Sequence, residues 1–329
     1  MAGGDGVGYK IGSFNMRNLG ITALGKNNGR DLRKIAEIIK KEGFDVVAFQ
    51  EVLSGGKAFS LPETEKKSIL MEMGLDWDFK WAEAKTNNIN SNEGFGFLWN
   101  KRRLRLSTAK LSDGRVRTYN PTMLEQKVIK KEMKRKPFYA RFTPEGLPGG
   151  CFMELRLLCI HTYYGNDSVK DREIRERELD ILMREVFPRI SDRIYGNNMP
   201  SYTILLGDYN AELYTSRTEW KNKINRPAPL YLKTDNEGII EVASWGKIKT
   251  VQDEFTTLKK NVSQSGGEES FGGYAHDYDH FSFEESRFDG IKMKARRIDA
   301  VRKYCNDDFD KYNRTISDHI PIMMEIEIK

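Results

Sequence analysis

Apolar and polar residues alternate along the chain in blocks that predict strands and helices in turn. Tyr9 to Asn15 reads as a short strand. Arg30 to Glu42 reads as an amphipathic helix with Leu32, Ile35, Ile38 and Ile39 on one side. Asp45 to Gln50 (DVVAFQ) is an apolar run ending in polar residues, the pattern of a buried strand, and Phe95 to Trp99, Leu155 to Ile160 and Thr203 to Leu206 are similar. Ser168 with Asp171 three residues on predicts a helix start, and the charged segment behind it predicts a helix to about Val186. Ile320 to Ile328 alternates, with Glu325 and Glu327 opposite Ile326 and Ile328, and predicts a closing strand. No repeat period and no low-complexity linker divides the chain. One α/β domain is therefore expected over residues 9–329, with irregular surface insertions. Residues 1–8 are expected to be disordered or extraneous to it, and 214–278, which contains SQSGGEESFGG, has the weakest pattern.

Five strand-like segments meet polar clusters. Asn15 ends the first, in SFNMRN; Gln50 and Glu51 end AFQEV; His161 ends LLCIHT; Asp208 and Asn210 end TILLGDYNAE; Asp318 and His319 precede the last strand, in ISDHIPI. Strands packed side by side bring such ends to one edge, where acid, amide and imidazole groups converge. Hydrolysis of a phosphodiester needs that mixture, because an extra negative charge must be stabilised and a water positioned. Hard oxygen donors such as Glu51, Asp208, Asn15 and Asp318 suit magnesium, manganese or calcium and not zinc. Bound magnesium polarises a phosphoryl oxygen and stabilises the leaving oxygen. One histidine of near-neutral pKa can activate water while another protonates the leaving group. Of the four histidines, His161 and His319 stand at strand boundaries beside acidic residues. His276 and His280 read as structural or surface residues, and a strand would point His280 away from Asp279.

The motifs SFNMRN, DVVAFQEV, EGFGFLWN, CIHT, LLGDYNAE, YDHF and SDHIPI run in that order from about Ser13 to Ile328. In this the chain resembles deoxyribonuclease I-like members of the endonuclease/exonuclease/phosphatase superfamily. The resemblance implies a four-layered α/β sandwich: two packed mixed β-sheets flanked by helices, with the site at one end. It implies that Glu51 is the principal metal ligand, with Asn15 and Asp318 beside it. It implies that Asp208 and Asn210 bind metal, position the scissile phosphate and orient the nucleophile. His161 and His319 match the two catalytic histidines, with Glu93 paired to His161 and Asp279 to His319, each carboxylate fixing a tautomer. Asp299, in Arg297-Ile298-Asp299, is a rival for the place of Asp279, and the interval from YDHF to SDH favours Asp279. Arg17 and Arg135 fall where the nuclease branch contacts phosphate, and Thr256 and Thr257 where it uses hydroxyls near phosphate. The implied ion is magnesium or manganese, with calcium in a structural or synergistic role.

Composition narrows this picture only a little. Apolar residues make up 39% of 329, enough for a substantial core, so disorder is not expected. The formal charge of +6 permits a polyanionic partner without demanding one. Lys127 to Lys136 (KVIKKEMKRK) reads either as a solvated helix face or as a phosphate-backbone contact. Cys151, Cys159 and Cys305 show neither a disulfide framework nor zinc-ligand spacing. No membrane span or leader is visible, which suits a cytoplasmic monomer, or a secreted one whose leader has been removed. The nuclease branch carries a minor-groove arginine two residues after the QE glutamate, where this chain has Leu53. It carries a tyrosine two residues before Glu93, where this chain has Ser91. The expectation is a DNA endonuclease of low sequence specificity. The alternative is a phosphatase or a sphingomyelinase-like, phospholipase C-type hydrolase.

Overall fold

The structure, a computed structural model, describes residues 7–20, 29–60, 68–84, 93–124, 133–145, 152–166, 168–195, 199–211, 213, 241–245, 247–251, 254–261 and 270–328. Two large sheets dominate it. The first runs, in spatial order, Ile291–Arg297, Ile322–Ile328, Val7–Leu19, Val46–Val52, Gly94–Asn100 and Trp77–Glu83. The second runs Glu241–Trp245, Ile248–Val251, Asp279–Glu284, Ser201–Asp208, Glu154–His161, Phe138–Pro144 and Leu104–Leu106, with Thr122–Met123 also paired to Phe138–Pro144. Each mixes parallel and antiparallel neighbours.

The sheets pack face to face because their strands carry apolar side chains on both sides. Ile11, Val46, Phe97 and Trp99 of the first meet Phe138, Leu155, Leu157 and Ile204 of the second, with the Phe97 and Phe138 rings 5.1 Å apart. The outer face of the first sheet, through Phe14, Val47, Phe49 and Met323, is covered by helix Leu32–Glu42 and by Ala300–Cys305 and Phe309–Thr315. Leu158, Ile160 and Leu205 of the second are covered by Val169–Ile181 and Phe187–Ser191. The result is the four-layered α/β sandwich that the motifs imply. Among the described residues no helix is long and apolar enough to cross a membrane.

Local chemistry sets the helix ends. Asp31 caps the first helix by accepting from the Lys34 amide, and Gly43 ends it in the left-handed region at φ 74°. Ser168 and Asp171 form the anticipated reciprocal capping box. The charged helix runs on past Val186, through a widened π-type turn at Leu182–Val186, to Ser191.

Three expectations are corrected. The first strand starts at Val7, so Val7 and Gly8 belong to the sheet, paired with Ile328 and Glu327. That strand also continues past Asn15 to Leu19 through a bulge, with Arg17 and Asn18 at φ 44° and 57°. The weakly patterned 214–278 segment contains strands at Glu241–Trp245, Ile248–Val251, Leu258–Asn261 and Ser270–Tyr274, too short for alternation to reveal. Residues 1–6, 214–240, 262–269, 125–132, Ser91 and Cys151 lie outside the described residues.

One glycine is indispensable to the second sheet. Gly207 lies at φ 142°, and a Cβ there would come within 2.1 Å of the Ile160 carbonyl oxygen on the neighbouring parallel strand. Gly207→Ala should therefore destabilise the protein by roughly 3 kcal/mol. Urea unfolding would measure this, and an unchanged midpoint would refute the account.

Candidate active site

Strand register assembles the cluster. His161 is paired with Asp208 across the parallel strands Glu154–His161 and Ser201–Asp208, and Asp208 is paired with Asp279 on its other side. Three hydrogen-bonded neighbours thus present an imidazole and two carboxylates in one row. From the first sheet, Asn15 and Gln50 are paired at the last regular position before the chain distorts, and Glu51 follows at φ 54°. That left-handed residue turns the Glu51 side chain toward the second sheet. His319 is brought in by an isolated antiparallel bridge to Thr257.

Each histidine is held by its own carboxylate. His161 Nδ1 lies 2.7 Å from Glu93 Oε1, and His319 Nδ1 lies 2.8 Å from Asp279 Oδ2. The Nε2 atoms point the other way, 3.7 and 3.6 Å from the same Asp208 oxygen, and His161 Nε2 is also 3.8 Å from Glu51. Asp208 Oδ1 accepts from the Asn210 amide at 2.8 Å, and Asn210 Nδ2 donates to the Thr162 carbonyl at 2.9 Å.

Burial and charge shift these groups in opposed ways. Burial alone would raise Glu93, yet His161 and Arg135 outweigh it and hold the carboxyl down at about 2. Burial and Arg135 push His161 down, while Glu93 and Asp208 more than offset them and leave it raised. Burial would also lower His319, and Asp279 and Asp208 together hold it well above its ordinary value. Asp279 is raised by burial, and His319 pulls against that. Glu51 is raised, chiefly by burial, with nearby carboxylates adding to the effect.

Several residues stand differently from expectation. Asn15 turns its amide nitrogen, not its oxygen, to Glu51 Oε1 (3.0 Å) and Asp208 Oδ2 (2.9 Å), while its oxygen accepts from the Arg17 amide. An oxygen ligand at Asn15 would require the amide to turn over. Asp318 does not join the ligand cluster: its Oδ2 lies 3.2 Å from Arg17 Nε at the rim, where both side chains remain about one-third exposed. Arg17 also donates to Asn313 Oδ1 at 2.6 Å. Arg135 clamps Glu93 at 2.9 Å, so its guanidinium serves the His161 pair before any phosphate. Sequence spacing carries no sign of that contact. Thr256 is fully buried, and its hydroxyl accepts from the Tyr278 and Asp279 amides. The Thr257 hydroxyl, also buried, accepts from the His276 amide. Both hydroxyls brace the chain around Asp279 and are not presented to a substrate. Asp299 caps helix Ala300–Cys305 and is not the partner of His319. His276 is exposed and stacks on Tyr278, and His280 is buried against Tyr209.

The donors fit a divalent ion. One ligand atom each of Glu51, His161 and Asp208 lie within 4.8 Å of one another, as do those of Asp208, Asp279 and His319. Glu51 Oε1 and Asp208 Oδ2 both accept from the one Asn15 amide nitrogen, which holds these two carboxylate oxygens close together. Hard carboxylate oxygens so placed suit magnesium or manganese.

His319 and Asp279 are both raised, so at these two sites the folded protein binds more protons than the unfolded chain, and their contribution to metal-free stability should fall as pH rises. For His319 the contribution is complete below about 6.5 and is lost as pH climbs through the raised folded value. Asp279→Asn should lower the His319 titration, because the variant loses both the Asp279 charge and its charge-assisted hydrogen bond while Asp208 still supports the imidazolium. NMR titration of the ring protons checks this, and an unmoved midpoint would sink it.

No protein-family model matches the sequence, and no curated protein matches it. Solved structures do match. TDP2 from Caenorhabditis elegans is 14% identical with a TM-score of 0.54, over 98% of this chain and 74% of that one. ANGEL2, a 2′,3′-cyclic phosphatase solved with adenosine-2′,3′-vanadate, is 12% identical with a TM-score of 0.53, over 98% and 96%. A humanized Danio rerio TDP2 is 13% identical with a TM-score of 0.51, over 97% and 98%. At such identities the likeness is one of fold alone: the chain has the fold of TDP2 and ANGEL2, the α/β sandwich of two packed mixed sheets that the motifs imply.

Proposed function

We propose that this chain is a divalent-metal-dependent phosphodiester hydrolase that cuts nucleic acid, DNA foremost, with little sequence preference. One observation carries the reading. Two imidazoles, each oriented by a buried carboxylate, direct their Nε2 atoms at one oxygen of Asp208.

Glu51 and Asp208 would hold the ion, with Asn15 joining them if its amide turns over. The ion would neutralise charge on the scissile phosphate and on the leaving oxygen. The protein groups do the rest. Glu93 and Asp279 fix a proton on each Nδ1, leaving each Nε2 to exchange protons with the reactants. One Nε2, with Asp208, takes a proton from the attacking water; the other returns one to the leaving oxygen. Asn210, clamped to the Thr162 carbonyl and bonded to Asp208, fixes the loop against which the phosphate sits.

Substrate class rests on less. Arg17 stands at the rim with about one-third of its side chain exposed, where it can exchange Asp318 for a phosphate. Such contacts position a backbone without reading sequence. The Leu53 amide donates to the Leu19 carbonyl, and its half-buried apolar side chain offers no donor to a groove edge. A second reading, a phosphatase on a small or terminal phosphoester, is favoured by the fold likeness to ANGEL2, described as a 2′,3′-cyclic phosphatase.

Plasmid incubated with magnesium or manganese should be nicked, and chelation should abolish nicking. His161→Ala, His319→Ala and Asp208→Asn should each slow cleavage by about a thousandfold with modest loss of DNA binding. Intact plasmid alongside turnover of a 2′,3′-cyclic nucleotide would replace the first reading with the second.

A further inference from the structure

A cavity lies far from the histidines. It has a volume of about 190 Å³ and lies between the segment at Tyr119–Leu124, the strand Phe138–Pro144 and the chain around Ile190–Tyr195. Arg141 lines it. Arg141 pairs in register with Arg156, five residues before His161 on the same strand, which places the cavity roughly 16 Å from the catalytic end.

The polar groups here are out of balance. Glu154 is shared by two buried guanidinium groups. Its Oε2 accepts from Arg141 Nε and Nη2 at 3.0 and 2.6 Å, and its Oε1 from Arg156 Nε at 2.7 Å. Arg156 Nη1 is further satisfied by the Ile190 carbonyl at 2.7 Å. Arg141 Nη1 is different: it is shut away from solvent and has no hydrogen-bond partner among the described residues. Among the described residues only aromatic faces meet that side of the group: its guanidinium is flanked by the rings of Tyr195, 3.5 Å to the centroid, and Tyr119, 4.2 Å. Those π contacts favour the charge but accept no conventional hydrogen bond. Arg193, exposed beside the cavity, adds a third guanidinium, 5.0 Å from the Tyr195 ring. The Tyr139 and Tyr195 hydroxyls lie 3.3 Å apart, and burial keeps the Tyr139 phenol protonated. The other walls, Met123, Leu124 and Ile190, are apolar.

We infer that this cavity is a binding site for a small oxyanion carried on an apolar body. Surplus positive charge and an unmade hydrogen bond at Arg141 Nη1 ask for an anionic acceptor. The apolar walls ask for a hydrophobic carrier. Size limits that carrier: a dry cavity of about 150 Å³ holds benzene, so 190 Å³ accommodates one ring and its anionic group. Tyr119, half-buried on an exposed segment, is the part of the wall that can turn to admit the oxyanion to Nη1. The inference is independent of the proposed catalytic function.

Calorimetric titration of the full chain without added metal would test it, using benzoate, phenylphosphonate (whose C–P bond no phosphoesterase cleaves) and acetate. Benzoate or phenylphosphonate should bind at least tenfold tighter than acetate, and the tighter of the two identifies the headgroup. Thr122→Trp, which fills the mouth, and Arg193→Glu, which reverses its charge, should each weaken that binding at least tenfold. Both positions are exposed, so both variants should keep the wild-type unfolding midpoint. Absence of binding by either ring compound, or equal affinity in wild type and both variants, would overturn the site.

Discussion

Everything in the candidate active site depends on one alignment: His161 beside Asp208 on adjacent parallel strands, with Asp279 beside Asp208 on the next. One pair is parallel and the other antiparallel, and in both the register is set by backbone hydrogen bonds and not by side-chain choice. Gly207 permits it by letting the strand approach the Ile160 carbonyl more closely than any side chain would allow. The resulting burial then controls the chemistry. Carboxylates and imidazoles shut away from water interact strongly, so each His–carboxylate pair holds its proton in a defined place.

Around the row sits a second arrangement made of contacts between charged groups. Arg135 holds Glu93, Glu93 holds His161, and His161 faces Asp208. On the other flank, Asp279 holds His319, and the Thr256 hydroxyl supports the Asp279 amide. Both chains of contacts end at the same carboxylate, which couples the two sheets of the sandwich at their open end.

Much of this was legible in the sequence, because strand ends are legible. An apolar run that stops at a polar residue marks an edge, and an ordered set of such stops marks a common edge. Glu93 and Asp279 were within reach only through the motif pattern, since neither differs by composition from other acids such as Asp299. What stayed hidden depends on side-chain direction. Nothing in SFNMRN says that Asn15 offers its nitrogen to the carboxylates, or that Arg17 folds onto Asp318. Nothing in KRKPF says that Arg135 reaches Glu93. The hydroxyls of Thr256 and Thr257 turn inward because the backbone near Asp279 has amides to satisfy, a demand that exists only once the strands have met. Glu241–Trp245 and Ile248–Val251 escaped notice for a related reason: they extend a sheet already formed and need little alternation of their own.

The pairing of Val7 with Ile328, and of Ser13 with Ile322, also has a kinetic side. The first strand is central to its sheet, yet one of its two neighbours lies about three hundred residues away in sequence. Such a high contact order makes closure slow, since the loop entropy must be met before the contacts repay it. On the ribosome the first strand must wait, with one edge open, until the last strand has emerged. Asn15 and His319 belong to opposite ends of that wait. The chain can therefore gain most of its second sheet, including the His161–Asp208 row, well before the cluster is complete.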